Sequence, residues 1–220
     1  MMTHTKLYDK VFLTGCDKTT EWMLPWFLNN FLKHNKKIPI IIGDFGLSDA
    51  MREKMMSYHL IDMSAYGHLR GWFKKPQCMI ECPAKQTVWI DTDCEVLSNI
   101  ESIFNFLVDN KLNMVQDLPW SLRTQETWHN SGVVGFKNKP EILRAWAHKI
   151  TLHQTLGDQE VLHSMFNDDI HRLQYINGLP NIYNWLRVQL VDNQDSEHKK
   201  IMHWTGRKGK LVIQEKIRCG

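Results

Sequence analysis

The amino-acid sequence predicts an α/β protein built on a mostly parallel β-sheet with helices on both faces. Short apolar runs, rich in Val and Ile, alternate along the chain with amphipathic segments of about ten residues. The runs at residues 11–15, 38–43 and 87–90 are apolar almost throughout, which is typical of strands buried on both faces. An aspartate follows each run within two residues. Ligands bind beyond the carboxyl ends of the strands in such sheets, so these aspartates are candidates for a functional site.

The remaining elements follow from the same patterns. Short apolar runs predict further strands at residues 112–116, 132–136 and 201–204. Helical spacing predicts helices around residues 22–31, from Ser48 to about Met55, and at 71–81, 140–150 and 158–166, with an amphipathic segment at 100–108. Pro25 is expected to kink or restart the first helix, and Ser48 to cap the second. The basic stretch at residues 206–220 shows no clear helix.

Composition bounds the class of the protein. With 220 residues, 43% of them hydrophobic, the chain can bury the core of one domain, predicted as residues 1–220. Lys and Arg are spread along the sequence and the net charge is only +3, so no nucleic-acid partner is expected. The sequence has no run of about 18 apolar residues and no apolar N-terminal region. We therefore expect a cytoplasmic protein without a transmembrane segment, and the oligomeric state is left open.

Two aspartates, Asp91 and Asp93, follow directly on the predicted strand at 87–90 in the segment VWIDTDCEVL. Side chains two residues apart on a strand point to the same side, so the carboxylates converge if strand geometry continues through Thr92. Two like charges at close range are unfavourable unless a cation lies between them, and a hard divalent cation prefers carboxylate oxygens. The alternative is a loop in which an aspartate caps a helix. The position after a β-forming run favours a metal site.

Six blocks of the sequence resemble, in order, those of nucleotide-sugar glycosyltransferases with the GT-A fold. VWIDTDCEVL looks like their D-x-D segment, most of all in the group around glycosyltransferase family 8, which includes glycogenin-like and bacterial galactosyltransferases. The six blocks are VFLTGCD, GDFGLSD, the stretch from GWFKKPQ through this D-x-D segment, HNSGVVGF, LGDQEVL and IMHWTG. The matches cover residues 11 to about 210. The resemblance implies the GT-A fold, a Rossmann-like and mostly parallel sheet flanked by helices.

The resemblance also implies a metal site. Asp91 and Asp93 would hold Mn²⁺ or Mg²⁺, and His203 in IMHWTG would be the third protein ligand. The ion would bridge both phosphates of a nucleotide sugar, with Thr92 beside them. Imidazole together with carboxylates suits Mn²⁺ better than Mg²⁺.

The basic residue that faces the diphosphate is left open by the sequence. Family members carry a lysine six residues after the histidine, and this position is Gly209 here. Lys208 and Lys210 flank it and Arg207 precedes them; Lys208 is taken as the phosphate contact. Gly206 would let the backbone approach the diphosphate, because glycine has no Cβ. A solvated basic tail is the alternative for this segment.

Other residues would contact the donor or the acceptor by the same resemblance. Thr14 and Asp17 would lie against the base and ribose of the nucleotide. Lys75 would contact the nucleotide or the sugar, with Lys74 competing for this role. Asn130 would lie near the donor sugar or the acceptor, although a polar turn before a strand is an equally good explanation.

The predicted helix at 158–166 begins with Asp158 and Gln159, which the resemblance places in the catalytic region. Asp158 would hydrogen-bond sugar hydroxyls, and a helix N-cap is the alternative or additional role. Residues 204–220 would fold over the donor as a C-terminal lid, with Gly206 and Gly209 as hinges.

Together these residues predict a metal-dependent glycosyltransferase. It would move a sugar from a nucleotide sugar, a UDP-sugar by the resemblance, to a hydroxyl of a carbohydrate or other acceptor, with retention of configuration. No well-placed Glu offers a nucleophile, so same-face attack is the expected mechanism. A nucleotidyltransferase acting on sugar phosphates is one alternative, although LTGCDKTTE lacks a glycine- and basic-rich phosphate loop. A non-catalytic sugar- or partner-binding relative is the other, although such a relative would be expected to lose the D-x-D or the H-x-x-G.

Overall fold

The structure, a computed structural model, describes residues 7–154 and 156–219 and contains a large and a small β-sheet. The strands are β1 (Tyr8–Cys16), β2 (Ile40–Asp44), β3 (His59–Asp62), β4 (Ala84–Ile90), β5 (Cys94–Val96), β6 (Leu112–Gln116), β7 (His129–Lys137), β8 (Ile176–Gly178), β9 (Trp185–Leu186) and β10 (Ile201–His203). The predicted domain, 1–220, also includes residues 1–6, 155 and 220, which lie outside the described residues.

The large sheet has seven strands in the order β3-β2-β1-β4-β7-β6-β8. Its neighbouring strands are parallel, except that β7 is antiparallel to both β4 and β6. The prediction of an α/β protein with a mostly parallel sheet is therefore confirmed. The carboxyl ends of β1, β2 and β4 lie next to one another at one edge, as the aspartates after these strands require.

The small sheet brings the middle and the end of the chain together. Its order is β5-β10-β9, with β5 antiparallel and β9 parallel to β10. In this register Cys94 lies opposite His203. Because Asp93 immediately precedes β5, the pairing also places Asp93 next to the histidine that ends β10.

Helices cover both faces of the large sheet. They are α1 (Leu24–His34), α2 (Asp49–Lys54), α3 (Lys75–Glu81), α4 (Leu118–Thr124), α5 (Glu141–Leu152), α6 (Asp158–His163), α7 (Asp169–Tyr175), α8 (Arg187–Val191) and α9 (Gly206–Cys219). Among the described residues, no helix combines the length and the apolar character that crossing a bilayer requires.

Two hydrophobic cores lie on the two faces of the sheet. Met79 of α3 and Trp146 of α5 belong to one core, and Phe27 of α1 belongs to the other. Successive residues of β1 serve the two cores in turn: Leu13 points into the first and Phe12 into the second. The apolar runs of the sequence are thus buried on both faces.

The predicted strands and helices are present, with two corrections. Of the two roles expected for Pro25, the structure shows a restart: α1 begins directly after the 3₁₀ helix Glu21–Met23, and Pro25 lies in its first turn, where its missing N–H is not needed. The segment at 100–108 forms a 3₁₀ helix, Glu101–Phe106, and the basic C-terminal stretch, predicted without a helix, forms α9. The cap at Ser48 is confirmed, since its side chain accepts a hydrogen bond from the N–H of Met51.

Gly209, predicted as a hinge, is instead the point where α9 packs most closely on the chain before it. A Cβ at this position would overlap the backbone carbonyl of Trp204, whose N–H donates to the carbonyl oxygen of Asp93 at 3.0 Å. We expect Gly209→Ala to lower the free energy of unfolding by about 1–3 kcal/mol, measured by chemical denaturation. The matched control is Gly178→Ala, whose Cβ has no neighbour within 4 Å. Equal stability of the two variants would contradict this packing.

Candidate active site

A cleft of about 290 Å³ opens at the carboxyl ends of β1 and β4. Its walls include six of the predicted site residues: Asp17, Lys75, Asp91, Thr92, Asp93 and Asp158. The aromatic rings of Phe45 and Trp89 also line it and stack in parallel, with centroids 6.0 Å apart. The strand ends, the start of α3 and the start of α6 therefore meet in one cavity, as expected for a sheet of this type.

Lys75 is the buried cation on which the polar side chains of the cleft converge. Its Nζ lies 3.1 Å from Oδ1 of Asp91 and 2.8 Å from Oδ2 of Asp158, while its side chain is only 2% exposed. The same Nζ donates to the backbone oxygen of Ser131 at 3.1 Å. One ammonium group thus joins the end of β4, the start of α6 and strand β7. Lys74, the competing candidate, instead donates to the backbone oxygen of Phe45.

The charges around Lys75 keep it protonated. Burial by itself would lower the pKa of Lys75, but the carboxylates of Asp158 and Asp91 outweigh burial and raise this pKa above its usual value. Burial raises the pKa of Asp91; Lys75 opposes this change and Asp93 adds to it. The indole N–H of Trp89 donates to Oδ1 of Asp91 at 2.6 Å. Asp91 is therefore held in one orientation from two sides.

Asp93, which immediately precedes β5, faces His203 at the end of the neighbouring strand β10. Nε2 of His203 lies 3.2 Å from Oδ1 of Asp93, and both side chains are largely buried. Burial would lower the pKa of His203, but Asp93 raises it; burial would raise the pKa of Asp93, but His203 lowers it. The potential ligand atoms of Asp93, Cys94 and His203 lie within 4.8 Å of one another.

This donor set fits a divalent cation, because a carboxylate oxygen and an imidazole nitrogen already face each other at a cavity wall. Asp93 and His203 are two of the three predicted ligands. The third, Asp91, lines the same cleft but is held by Lys75 and Trp89. Its ligand role stays a prediction.

Asp17 and Thr14, predicted beside the base and ribose, occupy different environments. Asp17 lines the cleft, and its Oδ1 accepts hydrogen bonds from the backbone N–H of Thr19 and the hydroxyl of Thr20. Burial would raise the pKa of Asp17, but hydrogen bonds from the hydroxyls and backbone N–H groups of Thr19 and Thr20 outweigh it and lower this pKa. Thr14 is fully buried within β1, on the side of the sheet that Phe12 also faces, and does not line the cleft. The nucleotide contact of Thr14 stays a prediction, and the neighbouring Gly15 is the β1 residue that lines the cleft.

Lys210, rather than Lys208, presents its side chain to the cleft. After burial and His203, Lys210 is the next influence on the pKa of Asp93, which it lowers. Lys208 is exposed to solvent because it lies two residues earlier on α9, and two residues correspond to more than half a helical turn. The phosphate contact of Lys208 stays a prediction, and Lys210 is the lysine of this segment that lines the cleft. Gly206 begins α9 and is exposed, and its predicted approach to the donor stays a prediction.

Asn130 and Gln159 line a second cleft, of about 270 Å³, together with Asp117. Oδ2 of Asp117 accepts hydrogen bonds from Nδ2 of Asn130 and Nε2 of Gln159, each at 3.2 Å. Oε1 of Gln159 accepts from Nδ2 of Asn130 at 3.0 Å and from the N–H of Ser131 at 3.3 Å. Since the carbonyl of Ser131 also binds Lys75, this residue connects the two clefts.

Asp117 completes this network. The sequence indicates it only by its position directly after the predicted strand at 112–116. It lies directly beyond β6 and also caps α4, where its side chain accepts from the N–H of Trp120. The sequence signal was a carboxylate at a strand end, which a helix cap explains equally well. Its contact with Asn130 is made between residues of different strands, and no local pattern reveals it.

Asp158 is not the N-cap of α6. Gly157 takes that position, and Asp158 is the first residue of the helix, with its carboxylate paired to Lys75. The next residue, Gln159, points into the second cleft. The start of α6 thus supplies one side chain to each cleft.

This chain has the fold of the GT-A glycosyltransferases, which confirms the resemblance at the level of the fold. No protein-family model and no curated protein matches the sequence. The solved structure of the bifunctional glycosyltransferase WbbM superposes with a TM-score of 0.66 at 11% identity. The match covers 94% of this chain but only 47% of WbbM, so the chain spans about half of that protein.

Two further structures match over nearly their full lengths. The galactosyltransferase LgtC, in complex with donor and acceptor sugar analogs, has a TM-score of 0.61 at 13% identity, and the match covers 94% of both chains. Mouse xyloside xylosyltransferase 1 has a TM-score of 0.62 at 12% identity, covering 89% of this chain and 97% of that one. At such identities the likeness shows a common fold.

The pairing of Lys75 with Asp158 can be tested by comparing the effect of Asp158→Asn on stability in the presence and absence of the Lys75 ammonium group. In the natural background, Asp158→Asn removes a partner of a buried cation and should lower the free energy of unfolding. In a Lys75→Met background, itself destabilised by about 3–5 kcal/mol, Asp158→Asn removes a buried unpaired carboxylate and should be stabilising. Urea denaturation of the four proteins measures both effects.

The matched control uses Lys74→Met in place of Lys75→Met, because the Nζ of Lys74 binds the carbonyl of Phe45. In this background Asp158→Asn should remain as destabilising as in the natural protein. The ion pair would lose its assigned importance if Asp158→Asn had the same effect in all three backgrounds.

Proposed function

We propose that this protein is a glycosyltransferase that uses a divalent cation to move a sugar from a nucleotide sugar, a UDP-sugar, to an acceptor hydroxyl with retention. One observation carries the proposal: Asp93 lines the cleft together with Lys75, Asp158 and Lys210, and its carboxylate faces the buried imidazole of His203. A pair of metal ligands, a hydrogen-bonding carboxylate and a phosphate-binding cation thus lie around one cavity. The GT-A fold shared with LgtC and xylosyltransferase 1 supports this assignment.

The diphosphate of the donor would lie between the Asp93–His203 pair and Lys210. Mn²⁺ held by Asp91, Asp93 and His203 would supply Lewis-acid stabilisation of the charge on the departing diphosphate, and imidazole ligation favours Mn²⁺ over Mg²⁺. Lys210 adds a positive charge on the α9 side of the cleft. The nucleoside would occupy the end lined by Asp17.

The sugar would lie against Lys75 and Asp158. A charged Lys75 holds the carboxylate of Asp158 in place, so that it can accept hydrogen bonds from sugar hydroxyls without reorienting. Lys75 itself cannot act as a general base, because its raised pKa keeps it protonated. Its role is to position the carboxylates of Asp158 and Asp91.

The acceptor would enter through the second cleft, past Asn130 and Gln159. Its hydroxyl would attack the anomeric carbon on the face that the diphosphate leaves; the C–O bond to phosphate breaks as the new C–O bond forms. The hydroxyl proton passes to the leaving phosphate oxygen. Both carboxylates beside the sugar, Asp91 and Asp158, are paired with Lys75, which makes them poor nucleophiles and supports same-face attack over a covalent intermediate.

The test is incubation with Mn²⁺ and a panel of nucleotide sugars, with detection of released nucleoside diphosphate. We expect the natural protein to release UDP from one UDP-sugar, and Asp93→Asn or His203→Gln to slow release at least about 100-fold because the metal ligands are lost. A nucleotidyltransferase would instead release pyrophosphate, and a non-catalytic binder would release neither. Far-UV circular dichroism controls for folding of both variants.

The phosphate contact can be tested with two neighbouring lysines. Lys210→Ala should slow diphosphate release by about 10- to 100-fold, because it removes a charge that opposes the developing negative charge. Lys208→Ala changes the formal charge equally but removes an exposed side chain of the same helix, and it should leave the rate within about twofold. Equal effects of the two substitutions would show that only net charge matters and would sink the assignment of Lys210.

The remaining sequence predictions are retained as proposals. These are a single domain spanning residues 1–220 and a location in the cytoplasm. Closure of the 204–220 segment over the donor would move α9 as a helix, carrying Lys210 with it. Family 8 remains the group whose sequence blocks this chain resembles.

A further inference from the structure

Asn184 connects the two clefts through a chain of buried side-chain amides. It is fully buried between the 3₁₀ helix Asn181–Tyr183 and β9. Its Nδ2 donates to Oδ1 of Asn130 at 2.8 Å, and its Oδ1 lies 3.0 Å from Nδ1 of His203. Asn184 therefore touches a residue of the second cleft with one end of its amide and the predicted metal ligand with the other.

The direction of this chain of hydrogen bonds is fixed at Asn130. Nδ2 of Asn130 faces Oδ2 of Asp117, which only accepts as a carboxylate oxygen, and Oδ1 of Asn130 accepts from the backbone N–H of Gly132 at 2.9 Å. A backbone N–H cannot reverse its role, so the amide of Asn130 has only one satisfactory orientation. Oδ1 of Asn130 then requires a donor from Asn184, which leaves Oδ1 of Asn184 to face His203.

The orientation of Asn184 decides which nitrogen of His203 carries the proton. An amide oxygen at Nδ1 requires a hydrogen there, so a neutral His203 has its free electron pair on Nε2, the nitrogen that faces Asp93. The ring packs against Gly132 so closely that a Cβ at this position would overlap it. It therefore has little freedom to turn away. A metal ligand needs this arrangement: an unprotonated nitrogen towards the ion and a hydrogen bond on the other nitrogen.

We propose that Asn184 is a positioning residue that holds His203 as the Nδ1–H tautomer and thereby presents Nε2 to the metal. The inference rests on the metal site of the proposed function. Without Asn184, Asp93 would attract the proton to Nε2, since it is the acceptor that faces this nitrogen. The hydrogen bonds that begin at Asp117 in the second cleft therefore determine the tautomer of neutral His203, which faces Asp93 of the first.

The first measurement requires no metal. Long-range ¹H–¹⁵N spectra of ¹⁵N-histidine-labelled protein, at a pH where His203 is neutral, distinguish protonated from unprotonated ring nitrogens; the His203→Gln spectrum identifies the signals. We expect Nδ1–H in the natural protein and Nε2–H in Asn184→Leu. Asn113→Leu is the matched control, because Asn113 is also fully buried and its Nδ2 donates to the carbonyl of Gly135. This control should keep the Nδ1–H tautomer.

The second measurement is calorimetric titration of Mn²⁺ in the presence of UDP. Loss of a hydrogen-bond partner behind a metal-binding histidine costs about 10- to 100-fold in metal affinity, and we expect this loss in Asn184→Leu. Asn184→Asp keeps an acceptor at Nδ1, so it should retain the Nδ1–H tautomer and bind Mn²⁺ within a few-fold of the natural protein. Asn184→Asp also serves as the deciding variant if Asn184→Leu does not fold.

The outcomes separate this inference from the proposed function. A natural protein with the proton on Nε2, or an unchanged tautomer in Asn184→Leu, would overturn the role of Asn184. So would a switch to Nε2–H in Asn184→Asp. If the natural protein binds no Mn²⁺ with UDP, the metal site of the proposed function falls and the assignment of Asn184 as its positioning residue falls with it, whatever tautomer the spectra show.

Discussion

The buried ammonium group of Lys75 is the interaction on which the candidate site depends. Burying a charge is costly unless partners replace its water, and here Asp91, Asp158 and the carbonyl of Ser131 do so. These partners come from the end of β4, the start of α6 and the interior of β7. The ion pairs therefore fix the positions of the two carboxylates in the main cleft before any ligand binds. The N–H of Ser131 also donates to Oε1 of Gln159, so the position of Gln159 in the second cleft is linked to that of Lys75.

In the proposed function the donor occupies the first cleft, and the acceptor reaches the donor sugar through the second. Asp93 and Lys210 line the first, and His203 lies against Asp93. Asn130 and Gln159 line the second, where both donate hydrogen bonds to the carboxylate of Asp117. The start of α6 contributes to both clefts, so Asp158, proposed to bind the sugar, and Gln159, proposed to face the acceptor, are adjacent residues of one helix.

Much of the fold and part of the site follow from local sequence signals. The buried strands were predicted because apolar runs are local, and Asp91 and Asp93 because they follow such a run directly. The sequence shows no clear helix where α9 lies. Without a helix, the relative directions of the Lys208 and Lys210 side chains are undefined, so the sequence does not distinguish the two lysines. The same limit applies to Thr14 in β1. The face of a strand that meets the cleft depends on packing, which the local sequence does not show. Asn184 was missed because its partners, Asn130 and His203, are distant in sequence and meet only through the sheets.

The proposed function requires one ion that touches both His203 and the diphosphate of a donor. Pulsed electron paramagnetic resonance of Mn²⁺ bound with UDP tests it directly in ¹⁵N-histidine-labelled protein. We expect hyperfine coupling to one imidazole nitrogen and to phosphorus in the same complex, and loss of the nitrogen coupling in His203→Gln. Phosphorus coupling without any imidazole coupling in the natural protein would rule out His203 as a ligand, because it would place the ion on the nucleotide but away from His203.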